Sequence, residues 1–512
     1  MAILTRTPWL AERRDRLAGT WRQFATRLEV HRRLATLGTL LGTGGMLYRM
    51  QPSWWPQATW GLPLLADLLA LALVLGTLGQ LFVVYLRQFE RRILHESRRF
   101  YFLALVILST VAASGIMQVL DVSPFASPLG ACAILLALFL GTRPAFVTSA
   151  LLSVLISLAV GVHPGTQPWA GGMGLLHSAG AIAAILAVHR VRARADLARA
   201  GIYIALVQGA IAASLVGLAG LPLREVGHAA IAAGTSGVLS AIVAMGLLPY
   251  LEGLFEIVTP FKLLELANPA QPLLRLVLTK APGTYHHSIM VGNLAEAAAD
   301  AIGADGLLVR VGAYYHDIGK TKRPIFFVEN QLGIENMHDK LNPRLSARVI
   351  IAHVEEGLEL ARQHRLPRDI SDFIATHHGK SLVSYFLHQA EQAEGPDAVS
   401  EEGFRYPGPR PWTREQAIVM LADATEATMR TLKNPTIEQI EATVRRIIQK
   451  RLTEGELSEA PITLAELEIV AQTFIRITQG LYHQRIEYPD QWLKELGQRK
   501  QEGKKVGHLA RG

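Results

Sequence analysis

The chain has 512 residues, of which half are apolar and only 18% are charged, and its formal net charge is +8. A soluble globular protein carries about 25% charged residues, so this composition excludes a protein that is soluble throughout. The single cysteine, Cys132, lies in an apolar run, which excludes a disulfide framework and a thiolate metal site.

Apolar stretches dominate residues 35–258 and predict about eight membrane-spanning helices, each needing about 20 apolar residues. Arginine placement supports this count, because positive residues favour the cytoplasmic side of a membrane. With eight spans, the cytoplasmic side receives the eight arginines before residue 35, the five in 87–99 and the four in 190–199. Both termini then also lie on the cytoplasmic side. The basic excess therefore indicates membrane topology, and no DNA or RNA partner is expected. The predicted spans are 35–50, 61–86, 101–120, 128–142, 144–162, 171–189, 200–222 and 227–257.

Residues 259–512 read as a charged, helix-rich domain without a sustained period-two alternation, so the predicted fold class is all-α. Helix start signals recur along it. Thr284, Asp305, Asn342-Pro343 and Pro367 precede helical patterns, and three Thr residues begin capping-box patterns. The capping-box pairs are Thr413 with Gln416, Thr436 with Gln439, and Thr463 with Glu466.

Histidines and aspartates recur in separate predicted helices of this domain, mostly where an apolar face meets a helix end. Neutral imidazoles and carboxylates suit Zn, Fe, Ni or Mn, and helix bundles build metal sites from facing helices. A single histidine of this kind is more often an ordinary core residue, but five helices supplying such residues together favour a metal site. The residues are His287, His316, Asp317, His353, His377, His378 and Asp423.

The same residues carry a resemblance. The pattern H…HD…D of His287, His316, Asp317 and Asp423 is similar to that of HD-domain metal-dependent phosphohydrolases. Longer stretches resemble the seven-transmembrane HD family of bacterial membrane enzymes, which hydrolyse cyclic di-AMP. These stretches are APGTYHHSIMVGNLAEAAA, RVGAYYHDIGK, NMHDKLNPRLSA, HHGKSLVSYF and FRYPGPRP.

The resemblance implies a site with two divalent metal ions, manganese or iron, with zinc as an alternative. It places His287, His316 and Asp423 on one metal ion and His353, His377 and His378 on the other. Asp317 would bridge the two. Two such ions can hold a phosphodiester and activate a hydroxide for attack, which would yield linear pApA.

Lys320 follows Asp317 by three residues and is expected to share its helix face and neutralise a phosphate oxygen. Asp317 and Lys320 are the predicted catalytic residues. Arg344, Tyr285 and Lys380 are further candidates for substrate contacts, and Lys380 stands where the family would have a small polar residue. His286 and the pair His338-Asp339 are not expected to bind metal.

The predicted organisation is a basic cytoplasmic tail (1–34), a transmembrane region (35–258), a linker (259–282), an HD domain (283–490) and a basic tail (491–512). Seven of the spans, from about residue 61, form the unit shared with the family. The family's large extracytoplasmic domain has no counterpart, because only QPSWWPQATW lies between the first two spans. Sensing by such a domain is therefore not expected, although the spans leave room for a small or lipidic ligand.

The leading hypothesis is a cyclic di-AMP phosphodiesterase in the bacterial cell membrane, with the HD domain in the cytoplasm. Its partners would be a cyclic dinucleotide, the lipid bilayer and, as an open alternative, a second copy of the chain. Hydrolysis of cyclic di-GMP is the competing activity, but the Gly-Tyr-Pro motif is missing after His377-His378. A membrane receptor that binds nucleotide without cleaving it is the competitor from another class, and it predicts lost ligands, whereas all seven are present.

Overall fold

The computed structural model describes residues 62–160, 170–189, 191, 193–331, 335–432 and 434–482. Within these ranges the chain is helical, and the only β pairing is an isolated antiparallel bridge between Leu382 and Arg405. The all-α prediction is confirmed. The chain divides into two compact units between Glu265 and Leu266. The predicted tails 1–34 and 491–512 and the first predicted span, 35–50, lie outside the described residues.

Each of the seven apolar stretches predicted from residue 61 onward forms a helix in the first unit. A short helix, α2, follows the first of them. The helices are α1 (Leu62–Phe89), α2 (Arg91–His95), α3 (Ser97–Val119), α4 (Leu129–Leu140), α5 (Thr142–Val160), α6 (Ala170–Val188), α7 (Arg194–Leu218) and α8 (Leu223–Phe255).

Four of these helices, α1, α3, α7 and α8, are long and apolar enough to cross a membrane. Helices α4, α5 and α6 contain shorter apolar segments, and α4 has only 12 residues. Nearly all of α4 is buried among its neighbours, as expected for a helix that is apolar on every side. By contrast, Val119 and Leu218 are more than 80% exposed at helix ends. Large apolar side chains on the outside of such a bundle are suited to lipid.

The second unit begins inside the segment predicted as a linker, 259–282, which contains α9 (Pro260–Leu266) and α10 (Pro272–Lys280). Short 3₁₀ turns occupy much of the chain between its α12 and α13 helices. The remaining helices are α11 (Pro282–Ala301), α12 (Gly306–Tyr315), α13 (Pro343–Gln363), α14 (Arg368–Thr376), α15 (Ser384–Glu394), α16 (Arg414–Met429), α17 (Ile437–Thr453) and α18 (Leu464–Tyr482).

Side-chain caps account for several of the helix starts. The Asp305 carboxylate accepts a hydrogen bond from the Leu308 amide, and Thr436 forms the complete capping box with Gln439. At Thr413 the box is incomplete, because the Gln416 side chain accepts from the amide of Trp412 instead. Helix α11 begins at Pro282, earlier than the sequence predicts. The missing amide proton of a proline is tolerated in the first turn of a helix.

The core of this unit is formed by helices α11, α12, α16, α17 and α18. Small residues on α11 allow its neighbours to approach closely, and larger apolar side chains on α16 and α18 fill the remaining space. Representative buried residues are Val291, Ala295, Val309, Ile418, Leu421, Val444 and Phe474. This packed core holds α11, α12 and α16 at fixed positions, and these three helices contribute candidate ligands.

Gly319 allows a second close approach, between the turn after α12 and helix α13. A β-carbon at Gly319 would overlap the carbonyl oxygen of His353 and crowd the amide nitrogen of Gly357. Both neighbours are backbone atoms, which cannot move aside as a flexible side chain can. Glycine at this position therefore sets the distance between the His316-Asp317 turn and His353.

We expect the substitution Gly319→Ala to destabilise the protein by about 1–3 kcal/mol, because overpacking forces the backbone to shift. The measurement is the free energy of unfolding of the full-length chain in detergent. Gly403→Ala is the matched control, since a β-carbon there meets no atom within 4 Å. Equal stability of the two variants would contradict the steric argument.

Candidate metal centre

Five helices bring the seven predicted ligands together in the second unit. His287 lies in the second turn of α11, and Asp423 lies in the middle of α16. His316 ends α12 and Asp317 begins the 3₁₀ turn Ile318–Lys322. The remaining three residues are His353, within α13, and His377 and His378, at the end of α14.

The Asp317 carboxylate lies between two groups of histidines. Its Oδ2 is 3.6 Å from Nε2 of His287 and 3.3 Å from Nε2 of His316. Its Oδ1 is 3.3 Å from Nε2 of His353 and 3.6 Å from Nε2 of His377. Each oxygen therefore faces one histidine pair, which is the arrangement that a bridging carboxylate requires.

Two triads complete the arrangement. In one, donor atoms of His287, His316 and Asp423 all lie within 4.8 Å of one another. In the other, donor atoms of His353, His377 and His378 do the same. These are the two ligand sets that the resemblance implies, and the structure places them on either side of Asp317.

Hydrogen bonds to Nδ1 fix the orientation of four of the imidazoles. The Nδ1 atoms of His316, His353 and His377 each lie 2.5–3.0 Å from a backbone carbonyl oxygen. Nδ1 of His287 contacts the carboxylate of Glu426. An Nδ1 that donates its proton leaves Nε2 with a free lone pair, and in all four residues Nε2 points into the cluster.

This tautomer leaves hydrogen-bond acceptors facing one another. Nε2 of His353 is 3.2 Å from Nε2 of His377, and Nε2 of His287 is 3.1 Å from Oδ1 of Asp423. The Nε2 atoms of His287 and His316 and Oδ1 of Asp317 are buried without a hydrogen-bond partner. Buried acceptors that converge in this way are stabilised by cations, so the donor set fits divalent metal ions.

Electrostatics keep the Asp317 carboxylate charged and the His377 imidazole neutral, whereas His316 retains a proton that a metal ion would have to displace. Burial raises the pKa of Asp317, but His316 and Lys320 outweigh burial and hold this pKa well below its usual range. Burial lowers the pKa of His377 to about 4, so its imidazole is neutral. Burial also lowers the pKa of His316, yet the Asp317 carboxylate raises it to about 10. The negative charge that attracts a proton to His316 attracts a metal ion equally.

Lys320 lies against the bridging carboxylate, with Nζ 2.6 Å from Oδ2 of Asp317 and 2.9 Å from Oε1 of Glu329. The pairing arises from a 3₁₀ turn, in which residues three apart eclipse, because α12 already ends at Tyr315. The two residues therefore pair at the predicted spacing of three, but on a 3₁₀ turn and not on an α-helix. Burial lowers the pKa of Lys320, but the carboxylates of Asp317 and Glu329 outweigh burial and raise it, so the ammonium stays protonated.

Sequence reasoning missed three residues that hold the site together. Glu329 also accepts a hydrogen bond from the Thr284 hydroxyl at 3.1 Å, and Glu426 orients His287. The ring of Tyr406 stacks on that of His378 with centroids 4.2 Å apart. Only Glu426 had a signal, because it follows Asp423 by three residues on one helix face. Glu329 and Tyr406 lie in irregular segments whose course depends on tertiary contacts.

The further candidates for substrate contacts lie at different places. Arg344 forms an ion pair with Glu394 at 2.7 Å and lies nine residues before His353, roughly 13 Å along the helix. Tyr285 is half-buried in the first turn of α11. Lys380 is exposed two residues after His378 and is the candidate that lies beside the metal ligands.

The residues predicted not to bind metal lie outside the cluster. His286 is exposed, on a different face of α11 from His287. Nε2 of His338 contacts the carbonyl oxygen of Phe326 at 2.8 Å, and its ring packs against Phe386. These contacts give His338 a structural role in the segment before α13.

The cluster is open on one side. The side chains of His316, Asp317, His353 and His377 are at most 1% exposed. Those of Lys320, Asp423 and His378 are 13%, 10% and 20% exposed. The solvent-exposed atoms of the cluster therefore belong mainly to these three residues.

Two family profiles match the chain, one in each unit. The family described as 7TM receptor with intracellular HD hydrolase matches residues 65–259. The HD domain family matches residues 284–428, a range that contains all seven candidate ligands. An HD domain implies divalent-metal binding, and the cluster is compatible with it.

Curated relatives and solved structures are also similar. The cyclic-di-AMP phosphodiesterase PgpH of Bacillus subtilis is 41% identical over 76% of this chain and 54% of its own length. The Listeria monocytogenes enzyme of the same name is 47% identical over 49% of this chain and 34% of its own length. This chain thus spans about half or less of these relatives. The HD domain of Listeria PgpH, solved in complex with cyclic-di-AMP, is 46% identical, with a TM-score of 0.41, over 43% of this chain and all of that one.

Glu426→Gln tests the orientation of His287. We expect the variant to bind Mn²⁺ about tenfold to a hundredfold more weakly, because an amide no longer fixes the Nδ1 proton as a carboxylate does. The measurement is calorimetric titration of the chelator-treated full-length chain in detergent.

Glu441→Gln serves as the control, since Glu441 is exposed on α17 and pairs only with Arg445 at 2.9 Å. Mn²⁺ affinity within twofold of wild type in Glu426→Gln would show that Glu426 does not position the ligand.

Proposed function

Because the chain belongs to the family of seven-transmembrane receptors with an intracellular HD hydrolase, we propose that it is a membrane-anchored, metal-dependent phosphodiesterase. Its substrate is cyclic di-AMP and its product the linear dinucleotide pApA. The observation that carries the proposal is the position of Asp317, each of whose oxygens faces a histidine pair of a different triad. The two curated relatives are cyclic-di-AMP phosphodiesterases by name, which supports this substrate.

The ligand assignment is part of the proposal. His287, His316 and Asp423 would hold one divalent ion and His353, His377 and His378 the other, with Asp317 shared by both sets. The mixed imidazole and carboxylate donors favour Mn²⁺ or Fe²⁺, with Zn²⁺ as the alternative. Such ions, when bound, supply Lewis acidity and a nucleophile at neutral pH.

The residues of the chain orient the substrate for hydrolysis. Lys320, protonated and 13% exposed, donates to a phosphate oxygen and offsets the charge that develops there. Glu329 holds the Lys320 ammonium at the open side of the cluster. Water adds a hydroxyl group to phosphorus and a proton to the departing 3′ oxygen, so that one phosphodiester bond opens.

The HD domain and both termini belong on the cytoplasmic side of the bacterial membrane in this proposal. The support is the arginine distribution, with five arginines in residues 87–99 and four in 190–199. These two segments follow α1 and precede α7, so an even number of crossings separates them. Cyclic di-AMP would then meet the site from the cytoplasm.

The first test supplies cyclic di-AMP and cyclic di-GMP in parallel to the full-length chain, purified in detergent and loaded with Mn²⁺ or Fe²⁺. We expect pApA from cyclic di-AMP, and no product from Asp317→Ala, because that variant loses the carboxylate that both triads share. Chromatographic separation of the products is the measurement.

A preference for cyclic di-GMP would keep the chemistry but replace the substrate. No cleavage of either nucleotide, with metal bound in full, would favour the receptor that binds nucleotide without cleaving it.

Lys320→Met separates substrate activation from metal binding. We expect kcat to fall about a hundredfold, since the variant removes a charge aimed at the transition state. Metal content, measured by elemental analysis, should stay at the wild-type level because lysine is not a ligand. A parallel loss of metal would mean instead that Lys320 acts on the ligands.

A further inference from the structure

We propose that Lys380 and Arg410 form a subsite for the second phosphate of the cyclic dinucleotide, the one that is not being hydrolysed. This inference rests on the proposed function, because it concerns how the same site recognises its substrate. The two cations lie in segments to which no catalytic role is assigned above. Lys380 is in the turn after the two histidines that end α14, and Arg410 is in the FRYPGPRP segment before α16.

Lys380 lies two residues after His378, a candidate metal ligand. Gly379 has a φ of +55°, which turns the chain sharply after His378 and leads Lys380 away from α14. The Lys380 stem then packs on Gly408, where a β-carbon would lie 3.1 Å from its Cγ and Cε. Two residues before Gly408, Tyr406 stacks on His378. One segment thus contacts both the ligand and the lysine.

Arg410 lies two residues after Gly408. Its Nε is buried without a hydrogen-bond partner and lies 3.8 Å from Oε2 of Glu456. The side chain as a whole is 29% exposed. A buried guanidinium nitrogen that lacks an acceptor is costly, and a phosphate that engages the guanidinium reduces that cost.

The buried carboxylate of Glu456 contacts both residues. Its Oε2 lies 3.8 Å from Nε of Arg410 and accepts a hydrogen bond from the Lys380 amide at 2.8 Å. That bond holds the backbone of Lys380 and leaves its ammonium free of ion pairs among the described residues. Neighbouring Arg405 differs, because it pairs with Glu401 at 2.8 Å and donates to the Lys380 carbonyl oxygen. Lys380 is therefore left for an anion from outside, and Arg410 can exchange its 3.8 Å pairing with Glu456 for a closer one.

A cyclic dinucleotide carries two phosphodiesters joined in one ring, so the second phosphate must lie close to the cluster while the first is attacked. Each phosphate carries a full negative charge, and its removal from water is unfavourable unless cations receive it. Lys380 and Arg410 supply these cations from the segments that contain His378 and Tyr406.

The experiment compares cyclic di-AMP with bis(p-nitrophenyl) phosphate, which has one phosphodiester and no second phosphate. The Mn²⁺-loaded full-length chain in detergent is assayed with both, and the ratio of the two kcat/KM values is determined. Lys380→Gln should lower this ratio about tenfold through a higher KM for cyclic di-AMP, as expected for one lost charge-assisted hydrogen bond. Lys380→Arg should restore most of it, and Arg410→Gln should act in the same direction as Lys380→Gln.

Arg362→Gln is the matched control, because Arg362 is an exposed cation on α13 that pairs with Glu359 at 2.6 Å. A ratio within twofold of wild type in Lys380→Gln would overturn the subsite. A wild-type chain that cleaves bis(p-nitrophenyl) phosphate but not cyclic di-AMP would instead overturn the proposed function, and the subsite with it.

Discussion

The buried carboxylate of Asp317 is the group on which the rest of the catalytic unit depends. An ionised carboxylate taken out of water costs several kcal/mol unless opposite charges surround it. Here the Lys320 ammonium lies 2.6 Å from Oδ2, and four imidazoles surround the two oxygens. The pKa of Asp317 stays well below its usual range despite complete burial, through His316 and Lys320. The negative charge thus persists at the point where the two triads meet.

The backbone is shaped to bring the partners of this carboxylate within reach. Gly319 has no β-carbon to collide with the backbone of α13, so α13 lies close enough for His353 to approach Oδ1 of Asp317. Gly283 does the same for Glu329, because a β-carbon there would overlap the Glu329 carbonyl oxygen. Glu329 in turn fixes the ammonium of Lys320. The contacts around one charge therefore set the packing of three separate chain segments.

The sequence predicts the local features well and the long-range ones only in part. The cap at Asp305 and the capping box at Thr436 follow from residues within one turn, and both form. The ligand residues could be named because their side-chain chemistry is distinctive and the motifs around them are long. Glu329 and Tyr406 could not be named, since nothing in their local sequence tells which helix their segments contact. The short α4, Leu129–Leu140, lies within the predicted span 128–142, and its burial on nearly all sides fits its apolar sequence.

The side chains of the cluster are unevenly exposed. Asp317 and the imidazoles of His316, His353 and His377 are at most 1% exposed. The accessible atoms belong to Lys320, Asp423 and His378, whose side chains are contributed by three different segments. The ring of Tyr406 covers one face of the His378 imidazole. The most exposed histidine of the cluster is thus stacked on one side, and the turn that leads to Lys380 follows it in the chain.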